Sequence, residues 1–192
     1  MTANESLKES TGVFNNALAV KGAYALRWHP GFAPNPAAAT LAEAENAQVL
    51  AVEASLDESA SSDKLKDESP QLALELHRLE LKMNLLLKIC GELLAREQKL
   101  PAPRVARISA VGVECEADPS MKSGERGVLE LYVNRSLPYA LRFQAVIDGE
   151  RTEPRGRLVH LRFEAVSDAL ADQMSKLIFR KHRRLVALAR HS

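Results

Sequence analysis

Residues 72–93 read LALELHRLELKMNLLLKICGEL, and this stretch determines how the rest of the chain is interpreted. Its apolar side chains recur at alternating spacings of four and three residues, the heptad seam of a left-handed coiled coil. Ser69 and Pro70 favour a helix start, and the next proline is Pro101, so we predict one helix over residues 70–100, about 45 Å long. We expect it to join copies of the chain; a core helix packed inside its own subunit is the alternative. The predicted interface residues are Leu72, Leu76, Leu79, Met83, Leu86, Cys90 and Leu93.

The apolar surface of this helix is wider than a simple seam. Flanking positions change from charged to apolar along it; they are Glu75, Glu80 and Lys82, then Leu87, Ile89 and Leu94. A wider strip suits more than two helices. Leu74, Leu81 and Leu85 lie on the opposite side, so we expect one face to join partners and the other to pack on its own domain.

The composition is that of a globular protein. The 192 residues are 46% hydrophobic and 27% charged, enough for an ordinary domain that carries a large insertion. Lysine plus arginine (26) nearly cancels aspartate plus glutamate (25), which disfavours nucleic acid and membrane surfaces as partners. The chain begins without a signal-peptide pattern, and both of its cysteines lie in segments that we expect to be buried, so we predict a cytoplasmic protein.

The segments before the long helix predict a strand and a shorter helix. Residues 1–13 are polar and expected to be frayed, whereas residues 14–29 contain the apolar alternation of a barrel strand. Thr40 with Glu43 three residues later resembles a capping box, which predicts a helix start. We therefore interpret residues 38–100 as a helical insertion after the first strand.

Beyond Pro103 the hydrophobic pattern changes to period two. Closely spaced strands of this kind predict a small antiparallel barrel or sandwich. Turn residues such as Asp148-Gly149 separate the apolar runs, which cover residues 105–116, 127–133, 139–147 and 157–165. Ser167 is expected to cap a final helix with a core-facing stripe of Leu170, Met174, Leu177, Ile178 and Leu185. The predicted fold class is therefore α+β.

One short motif resembles a known family. Ser109-Ala-Val-Gly112, entering an apolar strand, is similar to the second half of the (Asp/Asn)-x-Ser-x-x-Gly motif of PilZ domains. The order of strands and closing helix over residues 103–192 follows the PilZ barrel, and the heptad helix makes the chain similar to the atypical, tetrameric PilZ proteins of plant-pathogenic bacteria. The resemblance implies a homotetramer that acts as a non-catalytic adaptor for an unidentified signalling protein, near type IV pilus or cyclic di-GMP pathways.

The resemblance also identifies candidate ligand-binding positions: Arg104, Arg107, Ser109 and Gly112. PilZ receptors use an Arg-x-x-x-Arg pair to hold cyclic di-GMP. Arg104 and Arg107 are one residue short of that spacing and would point to opposite faces of an extended strand. Arg107 also places a donor where the motif has an acceptor. We expect weak or absent cyclic di-GMP binding, with a receptor that uses a rearranged arginine site as the alternative.

Catalytic and metal-binding patterns are lacking in the sequence. The five histidines form no metal-ligand spacing with a cysteine or with one another, and Gly124 to Gly127 reads as a turn rather than a phosphate loop. Cys115 lies between Glu114 and Glu116, whose charges disfavour a thiolate nucleophile. We therefore predict that the protein is not an enzyme and has no metal or cofactor.

Charge is distributed unevenly along the chain. Residues 41–69 hold eight acids against two lysines, whereas residues 171–192 hold six Lys or Arg against one acid. The basic cluster at residues 180–184 could meet phosphate, nucleic acid or an acidic partner, or it could be the solvated end of a helix whose dipole favours cations. A further hypothesis pairs it with the acidic segment of another subunit.

Overall fold

The computed structural model describes residues 17–31, 36–58, 70–97, 99–134, 139–154 and 156–190. The prediction for residues 1–13 therefore lies outside the described residues. The described part contains strands β1 (Ala19–Pro30), β2 (Arg104–Ser109), β3 (Gly112–Glu116), β4 (Arg126–Tyr132), β5 (Leu141–Glu153) and β6 (Gly156–Phe163), and helices α1 (Pro36–Glu58), α2 (Pro70–Glu97) and α3 (Asp168–Arg190).

The strands form a closed antiparallel barrel in the order β1-β2-β3-β6-β5-β4. Strand β1 closes the ring because its first half pairs with β2 and its second half with β4. Alternate residues of each strand point inward, and this core is fully buried at Leu129, Leu131, Ile147 and Leu161. The predicted α+β class with a small antiparallel barrel is confirmed.

Two of the predicted strand boundaries are wrong. The apolar run over residues 105–116 is a hairpin rather than one strand. The Ser109 hydroxyl accepts hydrogen bonds from the backbone N–H groups of Val111 and Gly112 (3.2 and 3.1 Å), which stabilises the turn between β2 and β3. Asp148-Gly149 is a bulge rather than a turn: β5 continues through it, shifts register between Ile147 and Gly149, and pairs on with β6.

Helix α1 begins at Pro36 rather than at Thr40. Proline is favourable at the first helical position, and the Thr40 hydroxyl donates to the Pro36 carbonyl oxygen (3.0 Å) one turn below it. The capping-box prediction is therefore wrong, because Thr40 lies inside the helix and does not cap its start.

Polar side chains attach α1 to the barrel and to α3. The buried Asn46 amide donates to the Arg142 carbonyl oxygen (2.8 Å) and accepts from the Arg142 N–H (2.7 Å), which mimics a strand partner for the start of β5. One turn earlier, the Ser167 hydroxyl donates to the Glu43 carboxylate. Helix α1 is therefore part of the barrel body.

The buried Glu53 carboxylate forms the last of these connections. It accepts from the Asn134 amide (2.8 Å) and lies 3.4 Å from the Lys181 ammonium of α3. Lys181 also donates to the Val133 carbonyl oxygen (3.0 Å). One member of the basic cluster thus meets the acidic segment of its own chain, whereas the sequence hypothesis paired it with another subunit.

Helix α3 closes one end of the barrel. The Ser167 hydroxyl accepts the N–H of Leu170 (3.2 Å), which confirms the predicted cap. Four residues of the predicted core stripe are buried, namely Leu170, Met174, Leu177 and Ile178, whereas the fifth, Leu185, is exposed.

Helix α2 is 28 residues long and ends at Glu97, three residues before the predicted boundary. Lys99 adopts the left-handed backbone conformation (φ 47°), which stops the helix, and its carbonyl oxygen accepts from the Arg27 guanidinium of β1 (3.2 Å). Among the described helices, none combines the length and the apolar character needed to cross a membrane.

Candidate functional site

Helix α2 presents its heptad seam to solvent in the single chain. The six apolar seam residues other than cysteine are between 36% and 62% exposed, and Cys90 is exposed as well, contrary to the expectation that it is buried. Burial of one such side chain contributes about 1.5–3 kcal/mol, so covering the seam would add a large hydrophobic stabilisation. This exposure contradicts the alternative of a core helix packed inside its own subunit.

The opposite face of α2 is exposed too. Leu74, Leu81 and Leu85 are 51–58% exposed, so the expectation that this face packs on its own domain is wrong. Within the described side chains of α2, only Ala73 and Gly91 are buried. The helix projects from the barrel body as an apolar surface on two sides.

The two candidate arginines do not converge. Arg104 has the inward parity of its strand neighbours; its guanidinium donates to the Glu116 carbonyl oxygen (3.3 Å) and lies 3.7 Å from the Asp118 carboxylate. Arg107 has the outward parity and lies 3.4 Å from the Glu114 carboxylate. Each arginine thus has its own acidic partner on a different face of β2.

The two remaining motif positions build the β2–β3 hairpin. The Ser109 hydroxyl, fully buried, donates to the Gly112 carbonyl oxygen (3.1 Å) and accepts two N–H groups from the turn. A Cβ on Gly112 would lie 2.5 Å from the Leu161 carbonyl oxygen, so only glycine fits there. These residues are engaged within the chain.

A groove of about 460 Å³ lies on the outer face of the barrel. Its lining includes three cations, three carboxylates and two apolar side chains: Lys21, Arg107, Arg151, Glu114, Glu116, Glu153, Val105 and Leu158. Neighbouring strands contribute these side chains because Lys21 pairs with Arg107 across β1 and β2, and Arg107 with Glu114 across β2 and β3. We call this feature the outer groove.

The Glu114 carboxylate, whose side chain is 5% exposed, contacts two arginines of the outer groove. One oxygen lies 3.4 Å from the Arg107 guanidinium and the other 3.2 Å from that of Arg151, which also contacts Glu153 (2.8 Å). The structure thus combines Arg107 with Arg151 rather than with Arg104. Sequence reasoning missed Arg151 because it lies beyond the bulge that was interpreted as a turn.

Cys115 is buried inside the barrel, and its pKa is raised to about 11. Burial is the main cause; Arg104 opposes it, and the acids Glu114, Glu116 and Asp118 add to it. The prediction that Cys115 is not a nucleophile agrees with this direction, although burial matters more than the like charges. The described residues contain no cluster of three or more metal-ligating side chains.

The sequence comparison assigns this barrel with its closing helix to the class of PilZ-type domains. The family model described as "Atypical PilZ domain, cyclic di-GMP receptor" matches residues 50–191. The chain therefore belongs to the atypical PilZ domain family. No curated protein matches the chain.

The same fold is found in a solved structure. A pathogenic protein of Xanthomonas campestris, a tetrameric PilZ domain self-assembled via a helical bundle, is similar with a TM-score of 0.65 and 22% identity, over 97% of this chain and 99% of that one. Escherichia coli YcgR in complex with cyclic di-GMP matches 47% of this chain and 41% of its own, with 19% identity and a TM-score of 0.38. Bacillus subtilis MotI/DgrA, an inhibitor of motility, matches 43% and 42%, with 17% identity and a TM-score of 0.36.

Proposed function

We propose that this protein is a non-catalytic signalling adaptor that self-associates through α2 and displays several PilZ barrels around a helical core. The observation that carries the proposal is the heptad seam of α2, which is exposed along its whole length in the single chain. Regular spacing of four and three residues is the pattern that interlocking helices require. The family description supports cyclic di-GMP related regulation as the setting. Type IV pilus regulation is a more specific setting that we propose.

The stoichiometry that we propose is a homotetramer. The flanking residues Leu87, Ile89 and Leu94 widen the apolar strip in the second half of α2, and four helices bury a wider strip than two do. The similarity to a tetrameric PilZ domain supports the same number.

We propose that the four helices are parallel. In a parallel, in-register bundle, Ile89 of one chain lies next to Leu94 of its neighbour, so the apolar flanks contact each other. An antiparallel bundle would instead place the charged flanks Glu80 and Lys82 against the apolar flanks of the neighbour. Contact between charged and apolar side chains is unfavourable because the charges lose water without gaining a partner.

Light scattering on the double variant Leu79→Glu with Leu86→Glu tests the assembly. Buried charges in the seam should dissociate the bundle, so the mass should fall from about four chains to one. Leu188→Glu is the matched control, because Leu188 is equally exposed but lies on α3. An unchanged mass in the double variant would contradict the proposal.

Binding of cyclic di-GMP through the family's usual motif is expected to be weak or absent. Arg104 and Arg107 point to opposite faces of β2 and are already paired with Asp118 and Glu114. A phosphate would have to displace these carboxylates, which lowers the affinity that the arginines could give.

The second candidate function is a cyclic di-GMP receptor that uses the outer groove. Its volume lies within the range of small-molecule sites, roughly 300–1,000 Å³. Lys21, Arg107 and Arg151 could hold phosphate groups, and carboxylates at its edge could accept the N–H donors of guanine.

Calorimetric titration with cyclic di-GMP separates the two candidates. Micromolar binding that is lost in Arg107→Ala and in Arg151→Ala, but kept in Arg104→Ala, would favour the receptor. Arg104→Ala is the matched control because Arg104 lies on the inner side of the same strand. Heat signals no larger than buffer dilution would support an adaptor without this ligand.

A further inference from the structure

The last turns of α3 are exposed on every side. Residues 183–189 are all exposed, although Lys181, two residues earlier, still donates to the Val133 carbonyl oxygen beside the barrel. At about 1.5 Å per residue, this exposed end is about 10 Å long. We call residues 179–189 the α3 tip.

The α3 tip divides into an apolar side and a basic side. At about 100° per residue, its four large apolar residues fall within one half of the helix circumference and its arginines within the other half. The apolar residues, which are 37–66% exposed, are Phe179, Leu185, Val186 and Leu188. The basic side consists of Arg180, Arg183 and Arg184, with Lys176 one turn earlier. This division is typical of helices that lie in the interface between a membrane and water.

Arginines occupy both borders of the apolar side. Arg183 follows Phe179 by four residues and is therefore its neighbour on the helix surface. Arg184 precedes Leu188 by four residues and is in the same way its neighbour. A long arginine side chain at such a border reaches the phosphates of lipid headgroups while its apolar neighbours enter the layer beneath them.

We propose that the α3 tip binds the surface of a membrane that contains anionic phospholipids, lying in the interface without spanning it. The local charge selects this occupant. Residues 176–189 contain no acid and five cations, namely Lys176, Arg180, Lys181, Arg183 and Arg184. The nearly neutral whole chain disfavours a membrane as a partner, but attraction to a surface depends on the charge within about a Debye length of it.

The proposed assembly favours a flat occupant. In a parallel bundle with cyclic symmetry, equivalent residues of the chains lie in one plane perpendicular to the bundle axis. Several α3 tips at one height would contact a membrane together, and each further contact would then form at a high effective concentration. This step rests on the proposed function, whereas the binding of a single tip does not.

Cosedimentation of the full chain with lipid vesicles tests the proposal. Phosphatidylcholine vesicles that contain phosphatidylglycerol should bind the chain at least about tenfold more tightly than vesicles of phosphatidylcholine alone, because the arginines attract anionic headgroups. Added salt should reduce this preference, since it screens the attraction. Equal affinity for the two kinds of vesicle, or no binding to either, would overturn the proposal.

The basic side is tested by Arg183→Gln with Arg184→Gln. This variant should bind the anionic vesicles at least about tenfold more weakly than the unmodified chain. The matched control is Lys21→Gln with Lys122→Gln, which removes two exposed cations of the barrel and should leave the binding unchanged. Equal effects of the two variants would show that the net charge of the chain, rather than the α3 tip, directs the binding.

The apolar side is tested by Leu185→Gln with Leu188→Gln, which removes apolar surface at unchanged charge. This variant should also bind the anionic vesicles at least about tenfold more weakly, at an unchanged oligomer mass. Retained binding would mean that charge alone holds the chain, as for a nucleic acid or an acidic protein, and would contradict the proposal. A fall in mass would assign the apolar side to a contact between copies and would overturn it.

The seam variant Leu79→Glu with Leu86→Glu separates this inference from the proposed function. If light scattering shows single chains, they should bind the anionic vesicles more weakly than the assembly does but keep the preference for phosphatidylglycerol. An unchanged mass would contradict the proposed assembly alone. Loss of the preference, at either mass, would overturn the membrane inference alone.

Discussion

Helices α1 and α2 follow each other in the chain but relate to the barrel in opposite ways. Helix α1 is attached through buried polar side chains, such as Asn46 on the backbone of β5 and Glu53 on α3. Helix α2 is attached near its end, where Lys99 meets Arg27, and exposes leucines on two sides. The first helix is therefore packed against the barrel, whereas the second leaves its apolar faces available to other chains.

Substitutions of matched residues on α1 and α2 test whether the two helices differ in this way. The largest effect is expected for Asn46→Ala, which removes two hydrogen bonds to the backbone of Arg142 in a buried position. We expect the free energy of unfolding to fall by about 2–3 kcal/mol. Urea unfolding followed by the fluorescence of Trp28, the single tryptophan, measures it at fixed protein concentration.

The control for this prediction is Asn84→Ala on α2, where the asparagine is exposed. Its effect should stay within about 0.5 kcal/mol. An equal fall in the free energy of unfolding for the two variants would mean that α2 is packed as tightly as α1, contrary to this prediction.

The two cysteines provide the next contrast. The pKa of Cys115 is raised by burial to about 11, so the folded state favours the neutral thiol. The stability that this gives is complete below the ordinary thiol pKa and is lost as the pH rises towards 11, by up to about 2 kcal/mol.

Urea unfolding between pH 8 and pH 11, as a rough range spanning the thiol titration, measures this loss. Cys115→Ala should flatten the alkaline decline, because alanine has no proton to release. Cys90→Ala is the matched variant at the other cysteine, which is exposed in the single chain. A decline that is identical in all three chains would show that the buried thiol is not its source.

The smallest expected effect concerns two carboxylates. Glu53→Gln weakens a buried contact with Lys181, and we expect the free energy of unfolding to fall by about 1 kcal/mol. Glu75→Gln changes the exposed pair with Arg78 and should cost less than about 0.5 kcal/mol. Thermal unfolding of the two variants in low salt compares their stabilities directly. A larger loss of stability for Glu75→Gln would mean that the exposed pair on α2 contributes more than the buried contact of α1, contrary to this prediction.

Local patterns in the sequence predicted much of this fold. The alternation in β1, the Ser167 cap and the long helix are encoded by neighbouring residues, and the structure has each of them. Thr40 was misread because a hydroxyl can bond to the preceding turn as well as cap the next one.

The outer groove could not be predicted from local sequence patterns. It depends on the register that places Arg107 beside Glu114, and on the bulge in β5 that carries Arg151 to the same carboxylate. Such contacts depend on strand pairing between distant segments, which local periodicity does not specify. The exposure of both faces of α2 was missed for a related reason: periodicity identifies an apolar face but not what covers it.

We propose that the seam of α2 packs on the seams of other copies in parallel register, and Cys90 tests this packing in the unmodified chain. A parallel bundle brings the Cys90 thiols of neighbouring chains together, so mild oxidation should give a disulfide-linked pair of chains on a non-reducing gel. Cys90→Ser should abolish the pair and Cys115→Ser should retain it, since Cys115 is buried. A chain that stays single after such oxidation, or a pair that needs Cys115, would contradict the parallel bundle.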